Sequence, residues 1–244
     1  MYTSAWLQRQ PSAEVAGRVF CIPHAGCGAA VFAKWPEELD GVEFLAVELP
    51  GRLTRFGEHM PATFEELATA LVEAIGPFLD VPFALFGHCW SALAAYEVAV
   101  ELDRAGRPPQ RVFVSSQPGP QEKLTGRMIG MSEEQLAEEL AKTVRAMGHK
   151  PHPELVSIYV DVLRTDIDVS LRYHVPDPPR LSCPVTAVGW DRDTEVRPEE
   201  MSGWSACAQT DFVVFPGEHH RFIDAPPELL SALREAVLTP QPGQ

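Results

Sequence analysis

The segment Phe83-Ala84-Leu85-Phe86-Gly87-His88-Cys89-Trp90-Ser91-Ala92 constrains the fold more than any other stretch of the chain. Its first residues are apolar and suit a buried strand, its last residues open an alanine-rich helix, and only a tight turn separates them. Such a turn strains its apex residue and closes only where small neighbours let the helix pass close to the strand. Gly87 and Ser91 are small enough, and they leave Cys89 at the apex. This is the pattern of a nucleophile elbow, G-x-S-x-G, with sulfur in place of oxygen and Ser91 in place of the second glycine. A cysteine taken alone reads as a buried core residue. Its position at the apex, with the partners described below, argues instead for a nucleophile.

Further short apolar runs at 19–22, 44–47, 112–114, 185–188 and 212–215 predict strands beside the one at 83–86. Helical patterns cover 63–79, with Thr63 as N-cap, and 90–105, closed by Gly106. Strands separated by helices predict an α/β fold, with a mostly parallel central sheet, right-handed crossovers and helices on both faces. Residues from about 120 to 180 break the rhythm with two helical patterns, 132–147 and 153–173. They are expected to form a helical lid insertion over the sheet edge where the elbow opens. Residues 1–244 are read as a single domain, and the tail 239–244 is expected to be disordered.

Composition excludes several function classes. The balance of 45% hydrophobic and 22% charged residues is that of a soluble globular protein, and no apolar run is long enough to span a bilayer. Residues 1–18 lack the pattern of a signal peptide. Cys21, Cys27, Cys89, Cys183 and Cys207 are odd in number and scattered, which suits reduced thiols in a cytoplasmic protein. A net charge of −14 argues against nucleic acid and anionic membranes as partners. An acidic protein partner would need a locally basic face, for which Arg52, Arg55, Arg107 and Arg111 are the candidates.

A thiol at an elbow needs a base, and the base needs an orienting acid. Gly189-Trp190-Asp191-Arg192-Asp193 follows one predicted strand, and Pro216-Gly217-Glu218-His219-His220 follows the next. Both clusters fall at the carboxyl ends of strands, where open α/β sheets assemble their sites. The chain order nucleophile, acid, histidine is met by Cys89, Asp193 and His219. Asp191 competes with Asp193, and His220 with His219; spacing favours Asp193 and His219. The backbone N–H of Trp90, at a helix start, and that of Ala25, in the loop after the first strand, are the candidate oxyanion donors. His24, Trp90 and His220 are the candidate substrate-contacting residues, and His88 is read as support for the turn. No histidine shows metal-ligand spacing, and His149-Lys150-Pro151-His152 lacks the further ligands a zinc site needs.

Taken together, these stretches resemble the type II, or external, thioesterases of nonribosomal peptide and polyketide synthase pathways, which have the α/β-hydrolase fold. The matching segments run from Phe20-Cys21-Ile22-Pro23-His24-Ala25-Gly26 through Leu49-Pro50-Gly51-Arg52, the elbow, Leu163-Arg164-Thr165-Asp166 and Cys183-Pro184-Val185-Thr186 to Phe215-Pro216-Gly217-Glu218-His219. The resemblance implies Asp193 and His219 as acid and base, Ala25 and Trp90 as the oxyanion hole, and the insertion as a lid. It implies an acyl or peptidyl carrier protein as partner, no cofactor beyond the carrier's phosphopantetheine arm, and a monomer. The family's Gly-His-Ser-Met-Gly is here Gly87-His88-Cys89-Trp90-Ser91, and its aromatic residue after the histidine is His220. Trp90 is expected to place a large ring beside the nucleophile and shorten the acyl pocket.

Sulfur changes the chemistry that the resemblance implies. An acyl-serine is an oxygen ester, so its formation from a thioester runs downhill. An acyl-cysteine is again a thioester and stays activated toward another thiol or an amine. The expected activity is therefore thioester hydrolysis through a Cys-His-Asp triad. An acyltransferase or aminoacyl shuttle, or an amide- or ester-forming release enzyme, is the alternative, and a non-catalytic carrier-binding protein is a third reading.

Overall fold

A computed structural model describes residues 4–122 and 128–239. Its strands are β1 (Gly17–Ile22), β2 (Glu38–Leu39), β3 (Val42–Ala46), β4 (Phe83–His88), β5 (Arg111–Ser115), β6 (Val185–Trp190) and β7 (Thr210–Phe215). They form one sheet in the order β2-β3-β1-β4-β5-β6-β7, parallel throughout except for the short antiparallel β2–β3 pair. The predicted strands are all present. Every residue of β1 and β4 is buried, which is why these segments read as unbroken apolar runs: helices cover both faces. At the edge, β7 alternates between exposed and half-buried residues.

Helix α1 (Phe64–Ile75) starts where Thr63 Oγ1 accepts the Glu66 amide at 3.1 Å, the predicted cap. Helix α2 (Trp90–Arg104) runs through the core and stops at Gly106, whose φ of +68° favours glycine. The insertion between β5 and β6 holds α3 (Glu133–Ala146) and α4 (Pro153–Arg172). A reciprocal cap between Ser132 and Gln135 opens α3, and Pro153 sits in the first turn of α4. Residues 123–127 of the predicted insertion and 240–244 of the predicted tail lie outside the described residues. Two elements have no counterpart in the sequence reading. These are β2 and the terminal helix α5 (Pro227–Leu238), which buries Leu229, Leu230, Leu233 and Val237 against the sheet.

The insertion carries its own apolar seam, Leu136 and Leu140 on α3 against Val160 and Leu163 on α4, seated on Ala25. A buried ionic contact ties it to the body. Asp166 of α4 is paired with Arg52, and neither side chain has any solvent exposure. The same Asp166 oxygen accepts the Gly26 amide at 2.8 Å, so α4 also holds the loop after β1.

The proposed basic face is corrected by this arrangement. Arg52 is buried in the ion pair, and Arg55 is buried with its guanidinium 4.1 Å from the Trp6 ring centre, bonded to Glu58 and to the Glu48 carbonyl. Arg107 caps the Gly76 and Leu79 carbonyls, and Arg111 pairs with Asp211 at the start of β5, the end of the sheet opposite the elbow. Among the described residues, no helix is long and apolar enough to cross a membrane.

Breaking a buried ion pair from one side leaves an uncompensated charge. Arg52→Met is therefore expected to destabilise the fold by about 3–5 kcal/mol in urea unfolding. Adding Asp166→Leu should recover part of that loss but not all, because the Gly26 amide then has no acceptor.

Candidate active site

The elbow forms as its small residues require. Cys89 lies between the end of β4 and the start of α2 with φ 52° and ψ −126°, a strained conformation for a residue with a side chain. Its amide donates to the Ser115 carbonyl at 2.7 Å, which fixes the apex against β5. A Cβ on Gly87 would stand 2.1 Å from the Ser91 carbonyl oxygen, so only glycine fits there. Ser91 does more than fit. Its buried hydroxyl donates to the Ile22 carbonyl at 2.8 Å and accepts the His88 amide at 2.9 Å, joining β1 to the elbow.

Asp193 and His219 meet beside the apex. The His219 Nδ1–H donates to Asp193 Oδ2 at 2.9 Å, and because an ionised carboxylate only accepts, this bond fixes the ring's tautomer. Asp193 is saturated by further donors: Ser116 Oγ at 2.7 Å, the Glu195 amide at 2.8 Å and the Val196 amide at 3.1 Å. Burial pushes its pKa up, but the His219 bond and charge and the other donors overrule this and hold it at about 2. For His219, burial favours the neutral ring. The hydrogen bond to Asp193 and the neighbouring Cys89 and Glu195 prevail and raise its pKa to about 10.

Of the competing residues, Asp191 is exposed and accepts the Gly217 amide at 2.7 Å, so it shapes the histidine loop. His220 is half-buried, with its ring centre 4.8 Å from that of His219. The histidine before the nucleophile supports the turn, as read from sequence. His88 is fully buried, bonds Ser115 Oγ through Nδ1 at 3.0 Å and stacks on Phe222. Burial, then the neighbouring histidine charges, keep it neutral. Four histidine rings thus adjoin one another here, yet among the described residues no group of three His, Cys, Asp or Glu is arranged to hold a metal.

Two of the candidate substrate-contacting residues, His24 and Trp90, are buried. His24 is 4% exposed, with Nε2 3.5 Å from Cys27 Sγ, and burial keeps it neutral. Trp90 is 3% exposed; its ring lies 4.9 Å from that of Phe64, and its indole N–H donates to the Asp166 carbonyl at 2.8 Å. The indole thus links the first turn of α2 to α4. Its backbone N–H remains at the first position of α2, where amides have no acceptor within the helix. Ala25 is half-buried in the loop that Asp166 holds through Gly26.

An open cleft of about 840 Å³ reaches His219, floored by His219, His220 and Glu195 and bordered by Lys142 and Ala146 of α3. Ser116 and Asp166 are supporting residues to which the sequence reading gave no role, and Arg52, which it had offered to a basic face, is a third. The visible hint for Ser116 was only that a serine pair ended a predicted strand.

Cys89 is half-buried, whereas burial drives the Cys27, Cys183 and Cys207 thiols up to about 12 and Cys21 higher still. Iodoacetamide is therefore expected to label Cys89 alone in the native protein, as read by peptide mapping; comparable labelling of another cysteine would contradict this. Stability should also depend on pH through the histidine–aspartate pair. The contribution of His219 is complete below about 6.5 and disappears as pH rises to about 10. That of Asp193 is complete above about 3.8 and is lost as pH falls to about 2. Asp193→Asn should flatten both limbs in urea titrations run across this range.

The comparisons with known proteins agree with this geometry. Residues 17–237 match the model of the thioesterase domain family. Thioesterase PikA5 of Streptomyces venezuelae is 30% identical, covering 96% of this chain and 85% of that protein. The gramicidin S biosynthesis protein GrsT of Aneurinibacillus migulanus is 29% identical, over 87% and 86%. Among solved structures, the type II thioesterase BorB of the borrelidin cluster superposes with a TM-score of 0.82 at 28% identity, covering 97% of this chain and 99% of that one. The prodiginine-pathway thioesterase RedJ of Streptomyces coelicolor gives 0.75 at 31% identity, over 93% and 94%. With its mostly parallel sheet, its elbow and a match over nearly its whole length, the chain belongs to the thioesterase domain family and has the α/β-hydrolase fold.

Proposed function

We propose that this protein is a type II thioesterase of a nonribosomal peptide or polyketide pathway, acting through an acyl-cysteine at Cys89. Its substrate is an acyl group held as a thioester on the phosphopantetheine arm of a carrier protein. The observation that carries the reading is Cys89 at a strained apex, with His219 beside it and oriented by a saturated carboxylate. The names of BorB, RedJ and GrsT supply the pathway context.

In this reading the sulfur attacks the thioester carbonyl, and the oxyanion is met by the amides of Trp90 and Ala25. Collapse breaks the bond to the pantetheine sulfur, which leaves with the proton from His219. The now neutral His219 takes a proton from water as the water attacks the acyl-cysteine, and the acid is released. The insertion acts as a lid over the intermediate.

Transfer is the second reading, because an acyl-cysteine is itself a thioester and its passage to another thiol is close to neutral in energy. A pantetheine thiol can ionise by itself and needs less help, so it competes as acceptor.

Intact-mass spectrometry with an acylated carrier is expected to show one acyl group on Cys89, and Cys89→Ala should abolish both adduct and turnover. Decay of the adduct in buffer supports hydrolysis. Decay only on addition of an unloaded carrier would replace it with transfer, and absence of any adduct would overturn the acyl-cysteine.

A further inference from the structure

Strand β5 ends in two consecutive serines that serve different halves of the site. The Ser115 carbonyl accepts the Cys89 amide at 2.7 Å, and its hydroxyl bonds His88 Nδ1 at 3.0 Å, so this residue belongs to the elbow. Ser116 turns the other way. Its amide donates to the Val188 carbonyl of β6 at 3.1 Å, and its hydroxyl donates to Asp193 Oδ2 at 2.7 Å. That side chain is held against the preference of its own backbone. Ser116 is fully buried, and its φ of +48° lies in the left-handed region that favours glycine.

Asp193 Oδ2 is also the oxygen that accepts His219 Nδ1–H at 2.9 Å, whereas Oδ1 takes the amides of Glu195 and Val196. Ser116 and His219 therefore draw on one and the same oxygen. A donor to a carboxylate stabilises its charge and leaves less of that charge for a second donor. Without the hydroxyl, Asp193 is a less satisfied anion, and its charge bears more fully on the imidazolium. Both changes make the Asp193–His219 pair hold its proton more tightly, so they act with one sign.

We propose that Ser116 is a positioning residue that loosens the hold of Asp193 on the His219 proton, so that the imidazole is released to act as base. This rests on the reading of His219 as the base given above. The other ionisable groups around the ring stay in place when Ser116 is substituted. They are Glu195 after β6, Cys89 and His88 of the elbow, His24 after β1, the adjoining His220, and Lys142 of α3 at the cleft. A change in the titration of His219 on removing the hydroxyl is therefore read through Asp193.

The test is histidine NMR of the full chain, titrated from about pH 5 to about pH 11, on the wild type, Ser116→Gly and Ser116→Ala. The His219 signal is identified by its loss in His219→Gln. Glycine relieves the backbone, so Ser116→Gly is expected to keep the fold, and alanine removes the same hydroxyl without adding backbone freedom. Both should raise the pH at which His219 loses its proton by about half a unit to one unit. In step with this, kcat/KM for a propionyl-pantetheine thioester at neutral pH should fall by about 3- to 10-fold. A His219 titration that is unchanged or moves down overturns the assignment even if kcat/KM falls, because that pattern marks a merely structural role. A raised titration with kcat/KM unchanged overturns the link to catalysis. Intact mass separates the two levels: if the wild type forms no adduct on Cys89, the acyl-cysteine reading fails, while the His219 titration still decides on Ser116.

Discussion

The strained backbone at Cys89 is the constraint on which the rest of the site depends. A side chain at φ 52° and ψ −126° persists only when its surroundings over-determine it. Here they do so from two strands and the first turn of a helix. The apex amide is held by β5 through Ser115, the preceding amide by Ser91, and Ser91 in turn by β1 through Ile22. The second glycine of the usual elbow gives conformational freedom and nothing else. A serine in its place adds a hydroxyl that binds the turn to the neighbouring strand, so the substitution is structural reinforcement.

A second centre of organisation is Asp166. Its carboxylate neutralises Arg52 and holds the Gly26 amide, and its carbonyl accepts the Trp90 indole. One residue of α4 thus touches the loop after β1, the Pro50-Gly51-Arg52 turn and the first residue of α2. Charges so deeply buried are stable only with their partners in place, and this makes the arrangement all-or-none.

Cys89, Asp193 and His219 could be picked out in the sequence because each follows a strand, and strands announce themselves as apolar runs. Asp193 and His219 could be placed by chain order, and geometry then separated them from Asp191 and His220. The supporting residues were not legible in this way. Ser116 and Asp193 are 77 residues apart, Arg52 and Asp166 114, and Gly26 and Asp166 140, and no local pattern encodes such pairings. The contacts of the Trp90 side chain were not legible for a related reason: its neighbour Phe64 and its acceptor Asp166 belong to different helices. Helix α5 did leave a signal, in the spacing of Leu229, Leu230, Leu233 and Val237 after Pro227, which the sequence reading did not take up.

The contacts of Asp166 have a kinetic consequence. Swinging α4 outward would pull away the support of the Gly26 loop and of the indole in one movement. The α3 side carries no such burden, and the cleft past Lys142 and His220 already stands open there.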